Sequence, residues 1–469
     1  MLSGYVLTSG QGGYDISVAI KGGQNTKIRL GYHLGGEQFI KDSTVTDSNG
    51  KCRFRDKKPL PRGVYMIVFP DNTYTEFIAD SDQYFELSCD IKNPAGTIEF
   101  RKSEENARFL EYQKQWKIMQ DEAAYLNVKY QNYKPKSKEA EEMRNKILAH
   151  EEKMKEYLKD VSSANKGFLL GAITRSLLPV DIKPPEVPVG IANRDSVARL
   201  YSYLTYKDHF FDNIDFSEAG LIRSPILAGK LDQFFKQVVI QIPDSINKEA
   251  DRLLAMSSIN QDMFQYVSVW MFNKYATSEI MGQDAVVVHL ADKVYLSGKA
   301  PWVSKEYLDD LAKRVEKIRP NLIGKKAPDL IMDSFSDRFV SLLDVKAEFT
   351  ILYFWEPDCG HCKEATPVLK KYYDKNKNNG IEVFAVCTRA DRKKWEDYII
   401  KNNLDWINGW DPRRVTGYDT LYNVDSTPIV YILDKNKTII AKRLPVDKIE
   451  SFIDSYRLYN SQHPGSKVK

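Results

Sequence analysis

Two cysteines separated by two residues, Cys359 and Cys362, close an apolar run in the stretch Thr350 to Pro367, TILYFWEPDCGHCKEATP. Thr350 to Phe354 reads as a buried strand and Lys363 onward as a helix, which puts Cys359 at or just before a helix N-terminus. Amide N–H groups without intrahelical partners favour a thiolate there over a thiol. Such placement brings a thiol pKa from about 8.5 to between ~3.5 and ~7.5, so a thiolate at Cys359 is expected near neutral pH. One helical turn then sets the second sulfur beside the first. Cys359 can attack a disulfide, and Cys362 can resolve the mixed disulfide that forms. The same spacing is half of a zinc site, but the sequence holds no second CxxC and no HxxxH to complete four ligands. Dithiol exchange without metal or cofactor therefore outweighs metal binding or an inert structural pair. His361 is the only imidazole near the two sulfurs.

The pair must be held by the last part of the chain, residues 321–469, which alternates strand-like and helix-like patterns. Asn321 to Pro328 reads as a linker into it. Phe349 to Phe354, Ile381 to Val386, Pro428 to Leu433 and Thr438 to Arg443 are strand-like; Asp391 to Asn403 is helix-like with Trp395 and Ile399 inward, and Asp447 opens a final helix. Residues 1–100 instead show short alternating runs, DISVAI, TKIRLGY, KCRFRD, VYMIVF, TEFIAD, YFELSCD and TIEF, separated by turn residues such as Asp47-Ser48-Asn49-Gly50. They predict an all-β sandwich. Between the two, residues 101–320 carry helical periods. Ser103 starts one with Phe109, Tyr112, Trp116, Met119, Ala123, Leu126 and Tyr130 on one face, and after Lys134-Pro135 the period resumes, which predicts a helical hairpin. His150 lies on its apolar stripe and reads as a satisfied core histidine. Pro179 to Pro188 is a proline-rich crossing, after which six short helices are expected. Two aromatic-dense stretches among them, around Phe210 and Trp270, read as core ahead of a partner groove.

The 469 residues are 42% apolar and carry 68 basic against 64 acidic side chains, so nothing calls for nucleic acid. No apolar window is long enough to cross a membrane, and the first residues lack a targeting signal; a lipid anchor lost with a processed N-terminus stays open. Cys52 and Cys89 lie on predicted strands, where they are either a disulfide or two buried thiols. Cys387 reads as a buried bystander thiol.

With FWEPDCGHCKEATP followed by DSTPIVYILD, the C-terminal domain resembles the thioredoxin superfamily, in particular its envelope thiol-disulfide oxidoreductases related to TlpA and ResA. Thr427-Pro428 matches the family's Thr-Pro, which implies a cis proline beside the dithiol, and Pro367 matches its helix-kinking proline. The β and helical modules resemble those that precede such domains in Gram-negative envelope proteins. The resemblance implies Cys359, Cys362, His361 and Pro428 as the catalytic set, with Thr427 and Trp355 against substrate. It implies disulfide-containing envelope proteins as partners, an upstream thiol donor, and a periplasmic or envelope location. Two carboxylates of the family are missing: Tyr353 stands at one position and Ala365 at the other, leaving Glu356 or Glu364 to handle protons. The dipeptide Gly360-His361 is that of disulfide isomerases, where the histidine stabilises the thiolate; family potentials span about −270 to about −180 mV, roughly 4 kcal/mol. The reducing branch favours a reductase. A peroxiredoxin motif fails, since Glu356 and Leu352 stand where it needs Thr and Pro ahead of Cys359. The reading of another class is a partner-binding protein whose thioredoxin module is mainly structural.

Overall fold

The computed structural model describes residues 12–183, 190, 193–336 and 338–463; the start of the chain and Pro184 to Pro188 of the proline-rich crossing lie outside them. The described chain packs as two compact units, 12–239 with 254–266 and 240–253 with 267–463. The helical middle is thus shared between both units.

The first unit begins with eight strands: β1 (Tyr14–Lys21), β2 (Lys27–Leu34), β3 (Glu37–Val45), β4 (Lys51–Asp56), β5 (Gly63–Val68), β6 (Tyr74–Ala79), β7 (Tyr84–Asp90) and β8 (Glu99–Arg101). They form two sheets, ordered β4-β1-β7-β8 and β3-β2-β5-β6. Alternation sends Ile16, Val18, Phe85 and Leu87 of one sheet against Leu30, Tyr65, Ile67 and Phe77 of the other, the sandwich the sequence predicted. β3 was not anticipated. It is an edge strand exposed along nearly its whole length, so no buried face marks it in the sequence. Cys52 lies opposite Val18 and Cys89 opposite Ile20, with β1 between their strands. Two strand spacings are about 9.5 Å, beyond the Cα separation a disulfide spans. Both are free thiols, pushed up to about 11, chiefly by burial.

After the short α1 (Pro94–Thr97), Ser103 and Ser137 cap the hairpin helices α2 (Glu104–Gln131) and α3 (Lys138–Ala164) by accepting from the Asn106 and Ala140 amides. His150 sets Nε2 2.9 Å from the Met119 carbonyl, a satisfied core histidine as expected. The next helix, α4 (Leu169–Leu177), has no side-chain cap and too short an apolar run to announce itself. Its first amides instead meet carboxylates: Leu169 N–H is 3.3 Å from Asp80 and Leu170 N–H 3.2 Å from Glu105. Arg62 bridges Asp80 and Glu218, each at 2.8 Å.

Burial, with the Asp80 charge beside it, pushes Glu105 up to about 7. A carboxyl raised above its unfolded value of about 4.3 adds stability below that value and loses it as pH rises through 7. Glu105→Gln should therefore remove most of the loss of unfolding temperature expected for the native chain between pH 5 and pH 8. Calorimetry of the two proteins across that range is the measurement, and equal pH slopes would refute the assignment.

The remaining helices are α5 (Arg194–His209), α6 (Pro225–Gln233), α7 (Pro243–Ser257), α8 (Gln261–Ala276), α9 (Asp284–Leu290) and α10 (Lys305–Ile318). α6 and α9, expected to run to Gln237 and Leu296, pass into π turns at Phe234–Val238 and Ala291–Tyr295. The aromatic-dense stretches form core: Phe211 packs 4.7 Å from Phe234 between ring centres, and Met263, Met271 and Tyr275 are buried.

In the second unit, β9 (Ile331–Ser334), β10 (Phe339–Ser341), β11 (Phe349–Trp355), β12 (Ile381–Cys387), β13 (Ile407–Trp410), β14 (Ile429–Leu433) and β15 (Ile439–Lys442) form one sheet, ordered β10-β9-β13-β12-β11-β14-β15. With them go α11 (Gly360–Asn376), α12 (Arg392–Asn402), α13 (Tyr418–Leu421) and α14 (Ile449–Gln462). Central β11 is buried on both faces, Ile351, Tyr353 and Trp355 in one core layer and Leu352 and Phe354 in the other. The expected linker Asn321 to Pro328 is no free crossing. Gly324 N–H and the Ile439 carbonyl, and Ile439 N–H and the Lys325 carbonyl, pair at 2.8 Å, because β15 is an edge whose backbone groups need partners. Lys442 at the end of β15 is buried, with Nζ 2.5 Å from Asp284, 2.7 Å from the Asn321 side chain and 3.1 Å from its carbonyl.

Candidate active site

β11 ends at Trp355, and four residues later Cys359 is the N-cap of α11. An apolar strand in mid-sheet running into a capped helix therefore fixes the pair at the carboxyl end of the central strand, where parallel α/β sheets place their sites. The Cys359 sulfur accepts the Cys362 N–H at 3.3 Å, doing the work a serine or aspartate oxygen does at other N-termini. It also lies 3.4 Å from the Thr427 carbonyl. Burial opposes ionisation of the half-buried Cys359, but hydrogen bonds from Cys362, Thr427 and the His361 amide outweigh it and hold its pKa below the ordinary thiol value. Cys362, 1% exposed, is pushed up to about 12 by burial and by the adjacent Cys359. One sulfur is primed and accessible, the other protonated beneath it.

Thr427 and Pro428 precede β14, and the peptide bond between them is cis. β14 pairs antiparallel with β11, which carries this turn to the dithiol from 66 residues further along the chain (428 minus 362). Pro367 lies inside α11. His361 is exposed on the first turn of α11 and lines, with Pro428 and Arg443, a groove of about 600 Å³ beside the pair. Five of the six residues singled out in the sequence thus converge.

Trp355 does not. It is fully buried, its ring parallel to Tyr353 and 5.1 Å from Tyr398 between centres. Strand alternation puts it on the same inward face as Ile351 and Tyr353, so it offers substrate no surface. Tyr353, standing where the family has a buried aspartate, bonds through its hydroxyl to Thr366 at 3.0 Å. Of the two substitute carboxylates, Glu364 is exposed, whereas Glu356 is half-buried and accepts the Thr427 hydroxyl at 2.7 Å. Nothing in the sequence announces that contact, because its partners are 71 residues apart. Cys387 lies opposite Trp355 in the sheet, buried and pushed up to about 12, an unreactive thiol. Among the described residues, no group of three or more His, Cys, Asp or Glu is placed to hold a metal ion, and no helix is long and apolar enough to cross a membrane.

A thioredoxin-like family model matches residues 347–439, and a model of a domain of unknown function matches residues 129–321. The thiol-disulfide oxidoreductase ResA of Bacillus subtilis is 30% identical over 135 residues, 28% of this chain and 73% of that protein. ResA of Bacillus cereus is 24% identical over 120 residues, 26% of this chain and 68% of that protein. Among solved structures, a domain of a possible thiol-disulfide isomerase from Cytophaga hutchinsonii is 37% identical, with a TM-score of 0.29, over 30% of this chain and 97% of that one.

Proposed function

Because the chain belongs to the thioredoxin superfamily, we propose that this thiol-disulfide oxidoreductase acts as a reductase of disulfide-containing proteins of the cell envelope. The observation that carries the reading is the asymmetry of the dithiol: a half-buried Cys359 with a depressed pKa at the helix end, above a buried, protonated Cys362. The thiolate attacks a substrate disulfide, forming a mixed disulfide and releasing one substrate thiolate. Cys362 then attacks Cys359, the substrate leaves reduced, and an upstream thiol donor restores the pair. The groove beside Pro428 takes an extended segment around the substrate cysteine, and Thr427 presents its carbonyl at the point of exchange. His361 at the rim stabilises the thiolate and sets the potential above that of thioredoxin itself. No metal or cofactor enters the scheme. The periplasmic or envelope setting rests on the resemblance of the C-terminal domain to envelope thiol-disulfide oxidoreductases of the ResA type.

Insulin reduction driven by dithiothreitol tests the activity. The chain should precipitate insulin B chain well ahead of dithiothreitol alone, and a rate equal to the blank would favour the partner-binding reading.

A further inference from the structure

β14 pairs with β11 only as far as Ile429 opposite Phe354, so the turn that brings Thr427 to the dithiol lies beyond the end of the ladder. Pro428 has no N–H to give, and among the described residues the N–H groups of Asp425, Ser426 and Thr427 have no main-chain partner. Side chains hold the turn instead. Arg443 steadies its start, with Nη2 2.7 Å from the Asn423 carbonyl and 3.3 Å from Asp425, which leaves Thr427 to Glu356. Glu356 Oε1 accepts the Thr427 hydroxyl at 2.7 Å, both residues half-buried. The main chain of Glu356 is tied to the dithiol as well, its carbonyl accepting the Cys359 N–H at 3.4 Å. Thr427 closes the ring with its own carbonyl 3.4 Å from the Cys359 sulfur.

We infer that Glu356 is a positioning residue for substrate docking: it fixes Thr427 so that its main-chain groups stand where an extended substrate segment pairs with them as the substrate sulfur meets Cys359. This rests on the exchange activity and the docking mode proposed above, and it names the residue that makes the docking edge rigid. A turn without ladder bonds must otherwise be ordered at the moment of binding, at the expense of affinity. A charged acceptor holds a hydroxyl more firmly than a neutral one does, and half-burial shields the bond from water. The amide that primes Cys359 comes from Cys362 in α11 and lies outside this ring, so the ring governs where substrate lies and not how the nucleophile is activated.

Two disulfides test this on the reduced chain: a disulfide-linked peptide dimer, which has a main chain to dock, and hydroxyethyl disulfide, which has none. Acid trapping and alkylation of the remaining thiols give both oxidation rates. Glu356→Ala and Thr427→Val should each lower the ratio of the peptide rate to the small-disulfide rate about tenfold, within what one hydrogen bond to a charged group is worth. A general loosening of the site would slow both rates alike and leave the ratio native. Glu356→Gln keeps an acceptor oxygen and Thr427→Ser keeps the hydroxyl, and both should restore most of the ratio. The double variant of Glu356→Ala with Thr427→Val should fall no further than the lower of the single ones, because both remove the same bond. A native ratio in Glu356→Ala, whether both rates hold or both fall together, overturns the assignment and leaves the exchange activity standing, as do losses that multiply in the double variant. A native chain that is oxidised by neither disulfide overturns both.

Discussion

Cys359→Ser should reduce disulfide exchange to background, whereas Cys362→Ser should stop it halfway, with partner proteins attached to Cys359. The two outcomes follow from the different positions of the sulfurs. Cys359 caps α11 and carries the depressed pKa, so removing it removes the nucleophile. A serine at 362 keeps the amide that donates to Cys359, and with it the primed thiolate, but cannot complete the second displacement. Non-reducing gels of cell-envelope extract passed over the two variants should show dithiothreitol-sensitive adducts for Cys362→Ser and almost none for Cys359→Ser. Equal, dithiothreitol-insensitive partner sets from both would mean that the chain binds its partners without exchanging thiols with them.

Lys442→Met should destabilise the second unit by about 3 kcal/mol or more, the usual cost of removing one member of a buried ion pair. Burial pulls the Lys442 pKa down and Asp284 holds it up. Without the ammonium, the Asp284 carboxylate loses its cationic partner, with its other oxygen already lacking one, and both Asn321 oxygens lose their donor. Adding Asp284→Asn should recover part of the loss, since it removes the orphaned charge. Six of the seven tryptophans, Trp270, Trp302, Trp355, Trp395, Trp406 and Trp410, belong to this unit, so urea denaturation followed by tryptophan emission reports on it directly. An unchanged midpoint in Lys442→Met would mean that the lysine contributes nothing net.

Sequence reading succeeded where the physics is local. α8 and α10 run over Gln261–Ala276 and Lys305–Ile318 as their periodicity predicts, and the dithiol was legible because a buried strand running into a helix places Cys359 without help from elsewhere. It failed where a second segment decides the outcome. β3 exists because β2 pairs with it, not because its own residues alternate toward a core. Asn321 to Pro328 looks like a linker until β15 offers it an unpaired edge. β13 has only four residues and is held between β12 and β9. Trp355 beside the motif suggested a substrate contact, and only the alternation of β11 within its sheet shows it facing inward. Glu356 and Glu364 were both offered by the sequence near the pair, and only the turn at Thr427 shows that Glu356 is the one that meets it.

The interleaving of the two units constrains how the protein is made. Between residues 239 and 267 the chain leaves the first unit, returns to it, and leaves again, with two of the three crossings inside α7 and α8. During synthesis, residues 240–253 emerge before 254–266, so part of the second unit is already outside the ribosome before the first has received its last segment. Neither unit can be released whole by a single proteolytic cut. A fragment beginning near residue 322 would carry the complete dithiol yet leave behind Asp284 and Asn321, the partners of Lys442. A fragment meant to keep the partners of Lys442 therefore calls for the helices that carry Asp284 and Asn321 as well.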